Sequence, residues 1–455
     1  MPVTGTLGAL TYARVALSPN LEYWALKNNN ASAPTKLLIE NATQSIYVSS
    51  KIYGINVVKI AGYINPSMNF NYDYQPLSNT GFGLNKTAIA FGAVTNTILG
   101  VTQTRNAYTP AYPYYTVFPS AIQILDSTNG GTLDNHWKWP NYVPPTASNR
   151  SFSYYDDIIV DSTGQIYIID RETETNLPQY TIWLSRYLGY SLNGGATLYG
   201  ISTSAGSTSS GIRLQLSSVE NPIVYLQIGT KVRIYENSKT AGSAPYYPLT
   251  NIYNSELALS TSTLTGTDMI VDTSDNRMLT LNISNDGYLV KLSSTQTITW
   301  QQKVTNTKLY SVAFDSSNNV YAVGITSTNK LWIGKWNSSG TLQWQNELSS
   351  TVSFSTNCYI KIDNFDELII ASFFGQQVMF RLPNDGSIPG SGNYNFSDNT
   401  TPLTYTISSQ TINTSSITIS SPGSTGTTAP LKTFNYDYSN IIAQSSQYYR
   451  AYIGA

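Results

Sequence analysis

The chain has 455 residues, only 11% of them charged, a formal net charge of −1, one histidine and one cysteine. So neutral a balance gives no general electrostatic pull toward nucleic acid or acidic membranes, and a single histidine excludes His-based metal clusters and zinc helix motifs. The lone Cys358 excludes an intrachain disulfide, and inside Cys-Tyr-Ile-Lys-Ile it reads as a small core residue rather than a nucleophile.

In chain order, residues 1–18 match no repeat and read as an N-terminal arm or docking segment. They show neither a basic n-region nor a continuous apolar h-region, so no signal peptide is expected. No apolar run approaches membrane-span length. Residues 19–405 read as a β-propeller made of short strands. Ser45-Ile-Tyr-Val-Ser-Ser-Lys-Ile-Tyr-Gly-Ile-Asn-Val-Val-Lys-Ile60 is an early strand pair, and Thr87-Ala-Ile-Ala-Phe with Thr97-Ile-Leu-Gly-Val another.

Between 104 and 146 the pattern breaks into an aromatic, proline-rich insertion. It holds Tyr112, Tyr114, Tyr115, His136, Trp137 and Trp139. Long loops are usually functional or interface elements, and Tyr and Trp give rigid, amphipathic contact area. These aromatics, with Tyr246 and Tyr247 in a second Pro-flanked loop, are the interface candidates; core filling is the competing reading. Ile158-Ile-Val-Asp161-Ser-Thr-Gly-Gln-Ile-Tyr-Ile starts the next unit, and Pro222–Ile228 with Lys231–Tyr235 belongs to another.

The repeat is strongest from 265 to 390. Asp272, Asp315 and Asp363 lie 43 and 48 residues apart, and Trp300 and Trp344 lie 44 apart. Short strands with a period of roughly 40 to 50 residues are the propeller signature. Within a unit the alternation is period two, with Val320 and Ala322 on one face and Tyr321 and Val323 on the other. Asp-Ser-Ser-Asn-Asn and Asn-Ser-Ser-Gly are hairpin turns, and Trp300, Trp332, Trp336 and Trp344 are packing residues between units. The expected fold is all-β: a propeller of about seven four-stranded blades with N- and C-terminal extensions. A two-sheet sandwich array is the alternative. Residues 406–455 are expected as a C-terminal β extension. The pentapeptide Phe-Asn-Tyr-Asp-Tyr, at 70–74 and again at 434–438, marks a place where the terminus closes the ring.

The chemistry is argued mainly by elimination. No phosphate-binding glycine loop is present, no Gly-x-Gly-x-x-Gly opens a helix, and a Ser-His-Asp triad would need His136 beside Asp134. A glycosidase needs two carboxylates at a set separation. Glu172, Glu174, Glu220, Asp363, Asp366 and Glu367 are available, with Asp156-Asp157 beside Tyr154-Tyr155 the most suggestive pair. Neighbours on a strand point to opposite faces, which argues against that dyad. Ser191-Leu-Asn-Gly-Gly-Ala-Thr197 is similar to the turn of sialidase-type propellers, with Asn193 in place of its Asp. The Asp272 and Asp315 turns carry calcium-type oxygens but lack the sixth-position Gly and twelfth-position Glu of an EF-hand. No catalytic residue, cofactor or metal is therefore assigned.

Asp315-Ser-Ser-Asn-Asn-Val-Tyr-Ala-Val-Gly and Lys335-Trp-Asn-Ser-Ser-Gly-Thr-Leu-Gln-Trp resemble a bacterial and phage propeller repeat. Gly5-Thr-Leu-Gly-Ala-Leu-Thr-Tyr-Ala-Arg14 resembles N-terminal segments of structural proteins from marine cyanobacterial phages. The resemblance implies a non-enzymatic virion component (tail, fibre or capsid surface), made in the host cytoplasm. Its expected partners are other virion proteins, further copies of itself and a host-surface glycan or receptor, with no nucleic acid and no membrane insertion. The competing reading is a soluble glycan-binding or glycan-cleaving propeller.

Overall fold

A computed structural model describes residues 3–7, 10–18, 21–28, 33–52, 54–62, 67–74, 87–92, 97–103, 116–118, 120–126, 132–138, 150–174, 180–187, 196–202, 209–239, 250–257, 264–348, 353–355, 357–373, 375, 377–386, 393–394 and 403–404. Every regular element among these residues is a β-strand. The strands form small sheets that are antiparallel except where Thr116–Phe118 pairs parallel with Arg150–Val160, most of them four-stranded and running up and down in sequence order, as in 34–74, 209–257, 265–304 and 307–348. The chain divides into two compact units, one of residues 1–50, 57–71 and 265–418, the other of 51–56, 72–264 and 419–455.

In the first unit, the 307–348 sheet shows why the repeat folds as it does. Its strand Val320–Thr326 is buried at every position. Val320 and Ala322 join Met278, Leu289 and Val304 of the 265–304 sheet in one apolar cluster. Tyr321, Val323 and Ile325 join Ile360, Leu368, Ile370, Val378 and Phe380 of the following sheet in another. That following sheet turns its other face, Ile369, Ala371 and Met379, onto Leu37, Ile46, Val48, Val58 and Ile60. The period-two alternation is therefore real, but it separates two cores rather than core from solvent. A strand covered on both faces reads as a near-continuous apolar run, and each such side chain contributes roughly 1.5–3 kcal/mol on burial.

The second unit repeats this packing. Tyr167, Ile169, Ile182 and Leu184 of the 150–202 sheet pack on Leu214, Val224, Leu226 and Tyr235 of the 209–257 sheet.

Two segments differ from the sequence-based expectation. Residues 3–7 and 10–18, expected as an arm, are strands. They extend a six-stranded sheet in the order Val3–Leu7, Leu10–Ser18, Leu21–Asn28, Gln377–Leu382, Leu368–Phe373, Tyr359–Ile362. Leu21–Asn28 pairs with Gln377–Leu382, Trp24 opposite Arg381 and Asn28 opposite Gln377. Three of the six strands of this sheet thus come from residues 3–28 and three from residues 359–382. Residues 406–455, to which the closing role was assigned, lie outside the described residues.

The second difference is the 104–146 stretch. Within it, Ser120–Asp126 and Thr132–Lys138 are regular strands of a sheet that also holds Thr97–Gln103 and Thr87–Phe91. Alternation in Ser-Ala-Ile-Gln-Ile-Leu-Asp fits a strand, but the surrounding prolines and aromatics obscured it.

Candidate functional site: first-strand carboxylates and inter-sheet latches

Five-residue turns join the first and second strands of successive sheets, and one geometry serves them all. At Asp161, Asp272, Asp315 and Asp363 the backbone N–H donates to the carbonyl four residues on, and the N–H three residues on donates back. One carboxylate oxygen accepts two further backbone N–H groups: those of Thr163 and Gln165, Ser274 and Asn276, Ser317 and Asn319, or Phe365 and Glu367. The fourth residue has positive φ, whether it is Gly164, Asp275, Asn318 or Asp366. Asp and Asn suit both tasks, since their side chains bond nearby backbone and tolerate the left-handed region.

The second carboxylate oxygen is also occupied. In Asp315 it accepts from Asn319 Nδ2 at 2.8 Å and from the Tyr321 hydroxyl at 3.1 Å. Burial first, and then the Asp315 charge, push the Tyr321 phenol well above its usual range, so it stays a donor. In Asp363 that oxygen meets Arg381 Nε at 2.9 Å, with both side chains fully buried. The oxygens considered for calcium are thus satisfied within the turns. Among the described residues, no group of three or more His, Cys, Asp or Glu side chains is arranged to hold a metal.

Four residues before Asp161, Asp272 and Asp315 lies a second polar position, Asp157, Asp268 or Ser311, that the sequence reading did not connect with the repeat. The first strands of four sheets shift register at this place: between Tyr155 and Asp157, Gly266 and Asp268, Leu309 and Ser311, and, ahead of the turn that begins at Ser217, Gly211 and Arg213. Such bulges bend a strand and re-aim its side chains. Asp157 accepts from its neighbour Ile158 N at 3.0 Å and, across to the next sheet, from Leu214 N at 2.8 Å. Asp268 does the same with Met269 N and with Val312 N, and it also accepts from the Ser311 hydroxyl at 2.6 Å. Ser311 in turn accepts from Ile360 N at 3.3 Å. The first strand of one sheet therefore holds the next sheet by a buried side chain on a backbone N–H. The fixed offset of four from Asp161, Asp272 and Asp315 is the signal that would have found it.

Replacing Ser311 with Ala removes one link on each side and leaves Asp268 short of a donor. We expect a loss of about 1–3 kcal/mol, measured by urea unfolding, with the sheet content seen by circular dichroism unchanged.

The fourth strands of two sheets, Ile298–Val304 and Leu342–Leu348, carry a different latch. Trp300 Nε1 donates to Ser338 O at 3.2 Å and Gln302 Nε2 to Gly340 O at 3.0 Å; one sheet further on, Trp344 Nε1 donates to Asn384 O at 3.2 Å and Asn346 Nδ2 to Gly386 O at 2.7 Å. Both glycines have positive φ and lie under the indole, where a Cβ would sit 2.7 Å from the ring. This is why tryptophans recur at the 44-residue spacing. Trp332 and Trp336 are core residues of the cluster shared with the 265–304 sheet, their rings 5.8 Å apart.

Turn carboxylates also bridge sheets. Ser162 N donates to Glu220 Oε1 at 2.8 Å while Lys239 Nζ holds Oε2 at 2.6 Å. The equivalent Ser316 donates its N–H and hydroxyl to Asp366. The Lys239 hydrogen bond, then those from Ser162, lower the Glu220 pKa to about 2. A depressed folded pKa stabilises the fold above the unfolded value of about 4.3 and loses that contribution as pH falls through about 2. Stability of wild type minus that of Glu220→Gln should be flat above about pH 5 and shrink between about pH 4 and 2. A difference that grows on acidification would contradict the latch.

The carboxylates weighed for glycoside cleavage are held the same way. Asp363 has its turn and Arg381, Asp366 has Ser316, Glu367 accepts from Asn384 N at 2.8 Å, and Glu220 has Lys239. Asp156 and Asp157 are both buried, at 4% and 1% exposure, at a bulge rather than in strict alternation. Glu172 and Glu174 lie on the strand Ile166–Glu174 opposite Ser153 and Ser151. Of the interface candidates, Trp137 stands on Thr132–Lys138 opposite Ala121, next to His136 opposite Ile122. Tyr112, Tyr114, Tyr115, Trp139, Tyr246 and Tyr247 lie outside the described residues, as does the 191–195 part of the sialidase-like turn.

No protein-family model matches this chain, and no curated protein sequence matches it. Solved structures with similar arrangements include the Dos1 propeller, at 8% identity and a TM-score of 0.43, covering 82% of this chain and 89% of that one. A protein from Lactobacillus plantarum gives 12% identity and a TM-score of 0.45, covering 72% and 95%. A 6-phosphogluconolactonase-like protein from Bacteroides fragilis gives 11% and 0.44, covering 74% and 94%. Likenesses this distant carry no argument about activity.

Proposed function

We propose that this chain is a non-enzymatic structural protein of a phage virion. Its sheets would be the four-stranded blades of one β-propeller of about seven, docked on the particle as a tail, fibre or capsid-surface component. The observation that carries the non-catalytic part is the use of the described carboxylates: Asp157, Asp268, Asp315, Asp363 and Asp366 each accept hydrogen bonds that fix a turn or join two sheets. A general acid or base needs an oxygen open to substrate. The virion part rests on the repeat and on the Gly5–Arg14 segment, together with a composition low in charge and rich in Tyr.

Partners in this reading are other virion proteins and further copies of the chain, with a host-surface glycan or receptor as an additional contact through the aromatic segments. Gradient-purified particles analysed by mass spectrometry test it. The chain should comigrate with intact virions in several copies; recovery only from the soluble lysate would reject the assignment. A glycan array and a chromogenic glycoside panel address the soluble glycan-active alternative, and turnover on that panel would overturn the non-enzymatic reading.

A further inference from the structure

Among the described residues, the outermost strand of the six-stranded sheet, Val3–Leu7, has a neighbour on one side only. It pairs with Leu10–Ser18 over its whole length and without a register shift, Val3 opposite Arg14 and Leu7 opposite Leu10. A straight edge of this kind offers a row of backbone donors and acceptors to another strand. Proteins that keep such edges apart place Lys, Pro, a bulge or an inward charge on them. Val-Thr-Gly-Thr-Leu has none of these.

The segment is also symmetric in character about Gly5. An antiparallel copy centred there places Val3 opposite Leu7, Thr4 opposite Thr6, and Gly5 opposite its own counterpart. Apolar pairs and Thr–Thr pairs are favourable cross-strand neighbours, and a strand glycine marks a site where another backbone can approach closely. Pairing a strand with itself about a two-fold axis gives an isologous, closed contact. A partner of different sequence would have no reason to match that symmetry.

We propose that Val3–Leu7 pairs with the same strand of a second copy about a two-fold axis through Gly5, making one sheet continuous across two chains. This contact belongs to the free protein and does not depend on the virion assignment, so particle copurification and self-association can fail separately.

The test is analytical ultracentrifugation of the purified full chain, alongside two variants. Wild type should be dimeric at micromolar concentration. Thr4→Lys/Thr6→Lys sets like charges opposite each other on both sides of the axis and should weaken the dimer at least tenfold while leaving the circular dichroism spectrum unchanged. Gly5→Cys should form a covalent dimer under mild oxidation, because facing Cα atoms about 4.5 or 5.5 Å apart fall within disulfide reach. Cys358 is buried and contributes no competing thiol. A wild type that is monomeric throughout overturns the proposal, as does a dimer indifferent to the lysines. Should the lysine variant misfold, absence of the Gly5→Cys cross-link overturns it alone.

Discussion

Replacing Arg381 with Met is expected to cost about 3–5 kcal/mol, the largest effect of any single change considered for this chain. Arg381 and Asp363 are both fully buried, with Nε 2.9 Å from the carboxylate oxygen. Removing the guanidinium leaves Asp363 charged in a dry site while its other oxygen still accepts from Phe365 N and Glu367 N. The turn and the 377–382 strand are tied together through this pair. The double variant Asp363→Asn/Arg381→Met keeps a side-chain oxygen for the turn and removes both charges. It should therefore be more stable than Arg381→Met alone. Urea unfolding of the two variants checks this: equal midpoints would mean that the pair contributes through packing and not through charge.

The second large effect is steric. Gly340→Ala and Gly386→Ala each place a methyl 2.7 Å from a tryptophan ring atom, at φ of +87° and +80°. A non-glycine residue in the left-handed region costs about 1–2 kcal/mol and overpacking about 1–3, so each variant should lose about 2–5 kcal/mol. Tryptophan fluorescence gives a local readout, since the displaced indole gives up its bond to Ser338 O or Asn384 O. Adding Trp344→Leu to Gly386→Ala relieves the clash but not the backbone strain, and should recover part of the loss. Asn318, which has positive φ at 60° in its own turn, should instead accept glycine with little change.

Much of the local architecture could be read from the sequence because turn chemistry is local. Asp272, Asp315 and Asp363 announce themselves by spacing, and each makes its turn-forming contacts within four residues. The tryptophan spacing is legible for a related reason: each indole needs a glycine-containing hairpin on the next sheet, and both recur together. What stayed hidden is non-local or geometric. Asp268 looks like one more acid in a polar chain until the register shift after Gly266 brings it to Val312 N. Val320–Thr326 shows alternation, but alternation alone does not distinguish solvent on one side from a second core. The Leu21–Asn28 strand carries no mark of its partner, because its complement is simply another half-apolar strand. Most of the aromatic residues singled out as contact candidates lie outside the described residues, so that part of the reading rests on sequence alone.

The pairing of Leu21–Asn28 with Gln377–Leu382 also sets the timing of synthesis. Its two halves leave the ribosome about 350 residues apart, which at about 5–20 residues per second is a wait on the order of 20 to 70 seconds. Throughout that interval the first-made strand exists without the neighbour it will finally hold, while later sheets assemble one after another from strands adjacent in sequence. The joint therefore ties together strands made far apart in time, and until residues 377–382 emerge Leu21–Asn28 offers an open edge that other chains on the same polysome can capture.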